Sequence, residues 1–393
     1  MATLTTTATP TVNFAPPSIG QPEIDEVVAA LKSGWLSTGP KVRQFERAFA
    51  DYLGVEHAIA LNSCTAALHL ALLASDIGAG DEVVTTPLTF CATANVVVHT
   101  GATPTFADID PLTWNLSAAA AAAAVTAKTR AIIPVHYAGR PVEVRAFRAL
   151  ANRHNLVLIE DAAHAVETIA AGEKIGTTAD FSCFSFYATK NLTTGEGGML
   201  TTSSARAAEF ARIAALHGMS RNAWNRYGKG GSPHYDVVMP GYKYNMMDLQ
   251  AAIGLHQLAS LHQHLERREA ICALYDEALA DLPLTRPAPV APGDRHARHL
   301  YTVLVNPDSG WTRDGLVAAM ADAGITTSIH FRALHLHPYY ADRFGYTRGM
   351  FPNAELVSDR TLSLPLSGGM TNSAAARVID VLRDLVLGRR KAA

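Results

Sequence analysis

Two hydrophobic patterns alternate along the first two thirds of the chain. Short runs of apolar and β-branched residues are separated by stretches in which apolar positions recur at three- and four-residue spacing. The runs HAIALN, EVVTTP, TPTFADI, RAIIPVHY, LVLIED, DFSCFSF and GMLTT predict strands. Between them TAALHLALLA, TANVVVHT and VEVRAFRALANRH predict helices, and SARAAEFARIAALH, from Ser204, predicts another after the last strand. Strands alternating with helices make a mostly parallel sheet covered by helices, so the region from about Ile19 to His256 reads as one α/β domain. A helical stretch from about Met247 through Asp281, interrupted near Ser260, leads out of it. Beyond that, HLYTVLV, TRDGLVAAMADAG and SAAARVIDVLRDLVLG mix strand and helix patterns as a smaller α+β domain would. The expected division is a loose tail over residues 1–14, a large domain over 15–260 and a small C-terminal domain over 261–393.

Composition narrows what these domains can do. A chain of 393 residues exceeds what one small core needs, in keeping with two domains. With 48% apolar and 17% charged residues and a formal net charge of -2, nothing in the balance favours nucleic acid or an anionic membrane. A small molecule is the expected partner. Cys64, Cys91, Cys183 and Cys272 form no CxxC pair, which argues against structural zinc and against a disulfide framework. The N-terminal MATLTTTATPTVNF lacks the basic and apolar regions of a secretory signal. No apolar run approaches the roughly 20 residues that span a bilayer. The chain reads as cytoplasmic. AAAAAAAV, Ala118 to Val125, reads as an alanine-rich surface helix.

Ligands of such sheets gather at the carboxyl ends of the strands, where NSCT, PLTF, DAAH and TKN fall. FSFYATKNLTTGEGG runs from a strand into a Thr- and Gly-rich loop and delivers Lys190 there. TTGEGG is no phosphate-binding P-loop, since it lacks the GK[ST] ending. Asp161, at the end of LVLIED, is either the N-cap of a following helix or an acid awaiting a cationic partner such as a protonated ring nitrogen. Ser63, Cys64 and Thr65 open a helix, where free N–H groups attract phosphate, although capping explains Ser or Thr there equally well. Phe90 is either core or a flat cover for a ring. Together these residues supply what pyridoxal 5'-phosphate requires: a Schiff-base lysine, an acid for the pyridine nitrogen, a phosphate cup and a stacking ring.

Their order, with Ser185 and Lys190 last, resembles that of the fold type I pyridoxal phosphate enzymes. More closely, the chain resembles the DegT-type sugar aminotransferases. SGWLSTGPKVRQFERAFADYLG, GDEVVTTPLTFCATAN, IEDAAHA, FSFYATKNLTTGEGG, PGYKYNMMDLQAAIG and HFRALHLHPYY match family blocks in order. The resemblance implies that Lys190 carries the cofactor, Asp161 binds its pyridine nitrogen, and His164 lies near its ring hydroxyl. It further implies that Phe90 stacks on the ring while Ser63, Cys64, Thr65 and Ser185 hold the phosphate. In many members an Asn of a GYNYR block reaches the phosphate from the neighbouring subunit. Here GYKYN places Lys243 there and Asn245 two residues later, so either is the implied donor in a homodimer with shared sites.

The implied reaction moves an amino group from an amino acid, L-glutamate by resemblance, to a keto sugar usually carried on a nucleotide. GYKYN and HFRALH are most similar to the branch making UDP-4-amino-4-deoxy-L-arabinose, which points to amination at C4; a C3 keto sugar or a cyclitol is the alternative. His330 and His335 lie where the family's C-terminal domain approaches the sugar. Glu167, where many relatives have Gly, and Ala188, where they have a bulkier residue or Pro, are expected to reshape the pocket. The His217–Pro233 loop, with Arg221, Trp224 and Arg226, either closes over a base and pyrophosphate or is a solvated connection. His330, His335 and His337 lack the carboxylate and paired spacing of a metal site. A pyridoxamine-dependent sugar dehydratase generally has His in place of Lys190. A cofactor-binding regulator would need a DNA-binding segment, and none is visible.

Overall fold

Each predicted strand run of the first domain becomes a strand of one sheet in the computed structural model, which describes residues 11–220 and 234–388. In chain order the strands are β1 (His57–Leu61), β2 (Glu82–Thr85), β3 (Thr103–Phe106), β4 (Thr129–Ile133) and β5 (Val157–Asp161). A short hairpin of β6 (Ile169–Ala170) and β7 (Glu173–Lys174) follows, then β8 (Phe181–Ser185) and β9 (Gly198–Thr202). The seven-stranded sheet has the order β1-β9-β8-β5-β4-β2-β3. All pairings from β3 through β8 are parallel, because helices carry the chain back between strands. β9 alone runs antiparallel to its neighbours, β8 and β1, since β8 and β9 are joined by a loop with no helix.

The covering helices are α1 (Gln21–Ser33), α2 (Pro40–Leu53), α3 (Cys64–Ala74), α4 (Ala92–His99), α5 (Ala118–Ala123), α6 (Val144–His154) and α7 (Ala205–Ala214). One face of the sheet packs Phe45 and Phe49 of α2 and Phe147 of α6 against Phe184 and Phe186. The other packs the almost wholly apolar α3 against Ile59, Ile133, Ile159 and Leu200. With helices on both faces the strands are buried on both sides, which is why their sequences read as continuous apolar runs. The alanine-rich run forms α5, stopping at Ala123, with Ala121 buried.

The helical stretch after Met247 resolves into α8 (Asp248–Ala259) and α9 (Leu261–Ala278), broken at Ser260. Beyond them β10 (Leu284–Thr285), β11 (Tyr301–Val305) and β12 (Thr361–Leu364) form an antiparallel sheet. Helices α10 (Arg313–Asp322), α11 (Pro338–Phe344), α12 (Pro352–Arg360) and α13 (Asn372–Val386) complete this region. Its own core joins Ile271, Tyr275, Val303, Met320, Leu362 and Val378. No described helix is long and apolar enough to cross a membrane.

The segment expected as a loose tail differs from that expectation at its inner end. Val12 is buried, bridges Ile325, and exchanges backbone hydrogen bonds with Gly324 and Thr326. Leu366 donates its N–H to the Phe14 carbonyl. Residues 12–14 are therefore held by the C-terminal region, because they supply an extended backbone that its own strands leave unpaired.

Candidate active site

A cavity of about 460 Å³ opens at the carboxyl ends of β1, β5 and β8, with Ser63, Asp161 and Ser185 in its wall. At its α3 end, Ser63 caps the helix: its Oγ accepts the Ala66 N–H at 3.1 Å. The first N–H groups of a helix have no partner within it, so the backbone of Cys64 and Thr65 presents donors there. The Cys64 side chain is turned away from such a role. Its Sγ donates to the Cys183 carbonyl at 3.3 Å, and burial pushes the thiol well above its usual pKa. Gly198 packs flat against this helix start; a Cβ there would lie 2.3 Å from the Ser63 carbonyl carbon and 2.5 Å from the Cys64 nitrogen.

Strand β5 ends in two acids that alternation sends to opposite faces. Glu160 is buried under the sheet, accepting from Ser182 Oγ at 2.6 Å. Asp161, also buried, faces the cavity. Its Oδ2 accepts from Thr93 Oγ1 at 2.7 Å and its Oδ1 from the Ala163 N–H at 3.1 Å. Both donors are neutral, and burial holds the carboxyl above its usual pKa, so the site has room for one cationic partner. No helix follows Asp161; the chain goes through turns into the β6–β7 hairpin, which leaves the N-cap reading without a helix to cap.

Lys190 projects from the loop between β8 and β9 into the same cavity. The loop's Thr and Gly residues close it on itself. Phe186 N–H donates to the Gly197 carbonyl and Thr194 N–H to Phe186, both at 2.9 Å. Thr193 Oγ1 accepts the Gly195 N–H at 3.0 Å, and Gly195 sits in the left-handed region at φ 78°. Burial pushes the Lys190 ammonium down to about 8, against the partly restoring influence of Cys64 and Asp161.

Histidines line the remaining wall. His164 Nδ1 accepts the Ala138 N–H at 3.2 Å, and its ring lies 4.3 Å from that of His299. Burial drives both imidazoles well below their usual pKa. His330 lines the cavity with its Nδ1 2.8 Å from Ser363 Oγ; burial pushes it down to about 3. Phe90 lies across from Phe331 and is 61% exposed, so the cavity is open on that side.

Thus Ser63, Cys64, Thr65, Phe90, Asp161, His164, Ser185, Lys190 and His330 all line one cavity. Sequence reasoning missed three of its walls: Phe14, stacked 5.5 Å from His330, together with His299 and Phe331. It also missed Thr93, whose only signal was a hydroxyl in the first turn of α4. His335 is a correction. A short helical turn, Leu334–Leu336, directs it into the core, where it is fully buried with Nε2 2.9 Å from Glu355, outside the cavity. Glu167 and Ala188 do not line the cavity either; Glu167 is buried behind it. Lys243 and Asn245 are absent from the cavity of their own chain. Lys243 is exposed, and Asn245 Nδ2 donates to Thr38 Oγ1 at 2.7 Å. Arg221, Trp224 and Arg226 lie outside the described residues. Among the described residues no cluster of His, Cys, Asp and Glu is arranged to hold a metal ion.

The residues present fit the expected cofactor on grounds independent of motif. A buried carboxylate with only neutral donors suits a ring nitrogen that arrives protonated. The start of α3, with free backbone N–H groups in the cavity wall, suits a phosphate. A lysine that deprotonates near 8 suits covalent attachment.

Comparison with known proteins gives the same reading. The chain is 51% identical over 377 residues to the spore coat polysaccharide biosynthesis protein SpsC of Bacillus subtilis, covering 95% of this chain and 97% of that one. The putative sugar aminotransferase Spr1654 of Streptococcus pneumoniae, in its PLP-form, superposes with a TM-score of 0.89 at 32% identity, over 97% of this chain and 100% of that one. Helicobacter pylori PseC, an aminotransferase involved in the biosynthesis of pseudoaminic acid, superposes with a TM-score of 0.89 at 27% identity, over 96% and 100%. Residues 17–383 match the DegT/DnrJ/EryC1/StrS aminotransferase family, and with the lysine, acid and helix start assembled in one cavity, the chain belongs to that family.

Proposed function

We propose that this pyridoxal phosphate-dependent sugar aminotransferase moves the amino group of L-glutamate to the C4 ketone of a nucleotide-linked sugar. It would do so in the cytoplasm, as a homodimer in which each active site borrows residues from the partner. The observation that carries the reading is the convergence of Lys190, Asp161 and the α3 N-terminus on one cavity whose outer wall is histidine-rich. All four cysteines are free, as a reducing compartment would keep them.

Bound in the cavity, pyridoxal phosphate supplies an electron sink for the bond broken at the amino acid's Cα. Lys190 Nζ would anchor it and, as a free amine, would take the proton from Cα and deliver it to the carbon that receives it in the transfer. A lysine pushed down to about 8 keeps a useful share of free amine near neutral pH. Asp161 holds the proton on the ring nitrogen, steadied by Thr93 and the Ala163 N–H. The backbone at Cys64 and Thr65, with the Ser63 and Ser185 hydroxyls, takes the phosphate. His164 and His330, neutral at working pH, offer hydrogen bonds to the ring oxygen and to sugar hydroxyls without adding charge.

Two features support a shared site. Lys243 and Asn245 do not line the cavity of their own chain, and a run of exposed apolar residues on and after α1 (Ile24, Val28, Leu31, Trp35 and Leu36) is of a kind that a second copy would cover. SpsC and PseC are named for polysaccharide and pseudoaminic acid biosynthesis, which fits a sugar intermediate as acceptor.

The test is to incubate the pure enzyme and glutamate with nucleotide-linked 4-keto and 3-keto sugars and a keto cyclitol. Aminated product is then identified by mass and NMR. Amination confined to C4 is expected; turnover confined to a 3-keto sugar or the cyclitol would replace the substrate assignment. Borohydride reduction and peptide mapping should place the cofactor on Lys190 alone.

A further inference from the structure

Behind the cavity wall lies a buried polar chain that the reaction described above does not use. Glu167 and Arg268 are each 2% exposed and form an ion pair between Glu167 Oε1 and Arg268 Nη2. Glu167 Oε2 accepts from Asn191 Nδ2 at 2.8 Å. Asn191 Nδ2 spends its second proton on the Ala297 carbonyl, also at 2.8 Å. With both amide protons committed, the Asn191 carbonyl oxygen is what remains to meet His299 Nδ1, 3.0 Å away. An oxygen there can only accept, so His299 carries its proton on Nδ1 and a lone pair on Nε2. His164 is set oppositely: its Nδ1 accepts a backbone N–H, so its proton is on Nε2.

We infer that Glu167 and Arg268 are positioning residues which, through Asn191, fix His299 as a hydrogen-bond acceptor for the ammonium groups at the Lys190 end of the cavity. Those groups are Lys190's own and that of the amino donor. A free imidazole tautomerises at little cost, and a ring turned to present Nε2–H would oppose an ammonium instead of receiving it. The arrangement places a donor imidazole and an acceptor imidazole side by side, 4.3 Å between ring centres, with Lys190 in the same cavity. Removing Glu167 would free Asn191 to flip and would leave the Arg268 guanidinium buried without a counter-charge.

The inference rests on Lys190 being the reactive amine, so its test reads Lys190 directly, in the cofactor-free full-length protein. Acetylation of Lys190 is followed against pH by peptide mass spectrometry. The other groups acting on Lys190, namely Asp161, Cys64, His164 and His330, are unchanged in every variant, as are His296 beside His299 and Glu196 and Tyr187 in the cavity wall. Wild-type labelling is expected to reach half its maximum near pH 8. Glu167→Gln alone should be thermally destabilised by its unpaired guanidinium. Glu167→Gln with Arg268→Met removes both charges, so their direct fields cancel and stability should return, yet Asn191 loses its anchor. The double variant should therefore keep a Lys190 midpoint lowered by about half a unit or more, because the ammonium has lost its acceptor. A folded double variant that titrates as the wild type does would reduce Glu167 and Arg268 to a structural ion pair and overturn the inference. Should borohydride mapping find the cofactor on another lysine, the assignment of Lys190 fails separately, whatever this titration shows.

Discussion

A carboxylate at the end of one strand and a lysine in the loop that leaves its parallel neighbour are ordinary residues until burial acts on them. Asp161 accepts two hydrogen bonds from neutral donors. An amide in its place would preserve the shape while losing the charge that holds a ring proton. Asp161→Asn should accordingly retain some cofactor, while kcat falls by about two orders of magnitude or more in both half-reactions. Single-turnover absorbance with glutamate alone, then with the keto sugar, measures the two halves separately. Near-normal rates at full cofactor occupancy would reduce Asp161 to a turn residue. That Asp161 and Lys190 share one cavity was legible in the sequence because the carboxyl ends of strands in α/β sheets, and the loops leaving them, face ligands as a consequence of topology. His335 was misread for the converse reason. HFRALHLHP looks like a histidine cluster, but one short helical turn sends His330 to the cavity and His335 to Glu355. Neither Phe14 nor the chain from Glu167 to His299 carried a local signal, because their partners are distant in sequence and no periodicity relates them.

At the scale of elements, the strands were readable because both faces of the sheet are covered and apolar runs could be nothing else. The loop from Phe186 to Gly197 was readable as a loop, though not why it needs its glycines. Gly198, at the start of β9, lets that strand press against the first peptide of α3, with no space for a methyl group. Gly198→Ala must push the helix start aside and so spoil the donors at Cys64 and Thr65. The expected result is a folded protein, destabilised by about 1–3 kcal/mol, whose affinity for pyridoxal phosphate drops at least about tenfold. Equilibrium dialysis of the variant against cofactor measures this. Unchanged affinity would show that the phosphate is held elsewhere.

For the molecule as a whole, the proposed sharing of sites between two copies can be tested at the side of the cavity that the chain leaves open. The cavity is open beside Phe90, while Lys243 stands exposed and away from it. If a partner supplies the missing wall, inactive Lys190→Ala and inactive Lys243→Glu subunits should restore activity when mixed. A mixed dimer has one site with both residues intact, and random pairing makes about half of all dimers mixed, so recovery should approach a quarter of the wild-type sites. Verified subunit exchange without recovered turnover would refute sharing.

The pairing of Val12 with Ile325, and of Phe14 with Leu366, also sets an order in time. During synthesis the large sheet has all its strands once Thr202 has been made, and the Lys190 loop and the start of α3 can then be in place. Residues 12–14 have no place to dock until Gly324 to Thr326, and then Leu366, have followed, well after the strands of the large sheet. Phe14 is thus made before any strand of the large sheet and reaches its place only after all of them. A chain stopped short of Leu366 would carry Lys190, Asp161 and the start of α3 but lack the anchor that holds Phe14 in the cavity wall, so the two sides of the cavity arise at different moments in the life of the polypeptide.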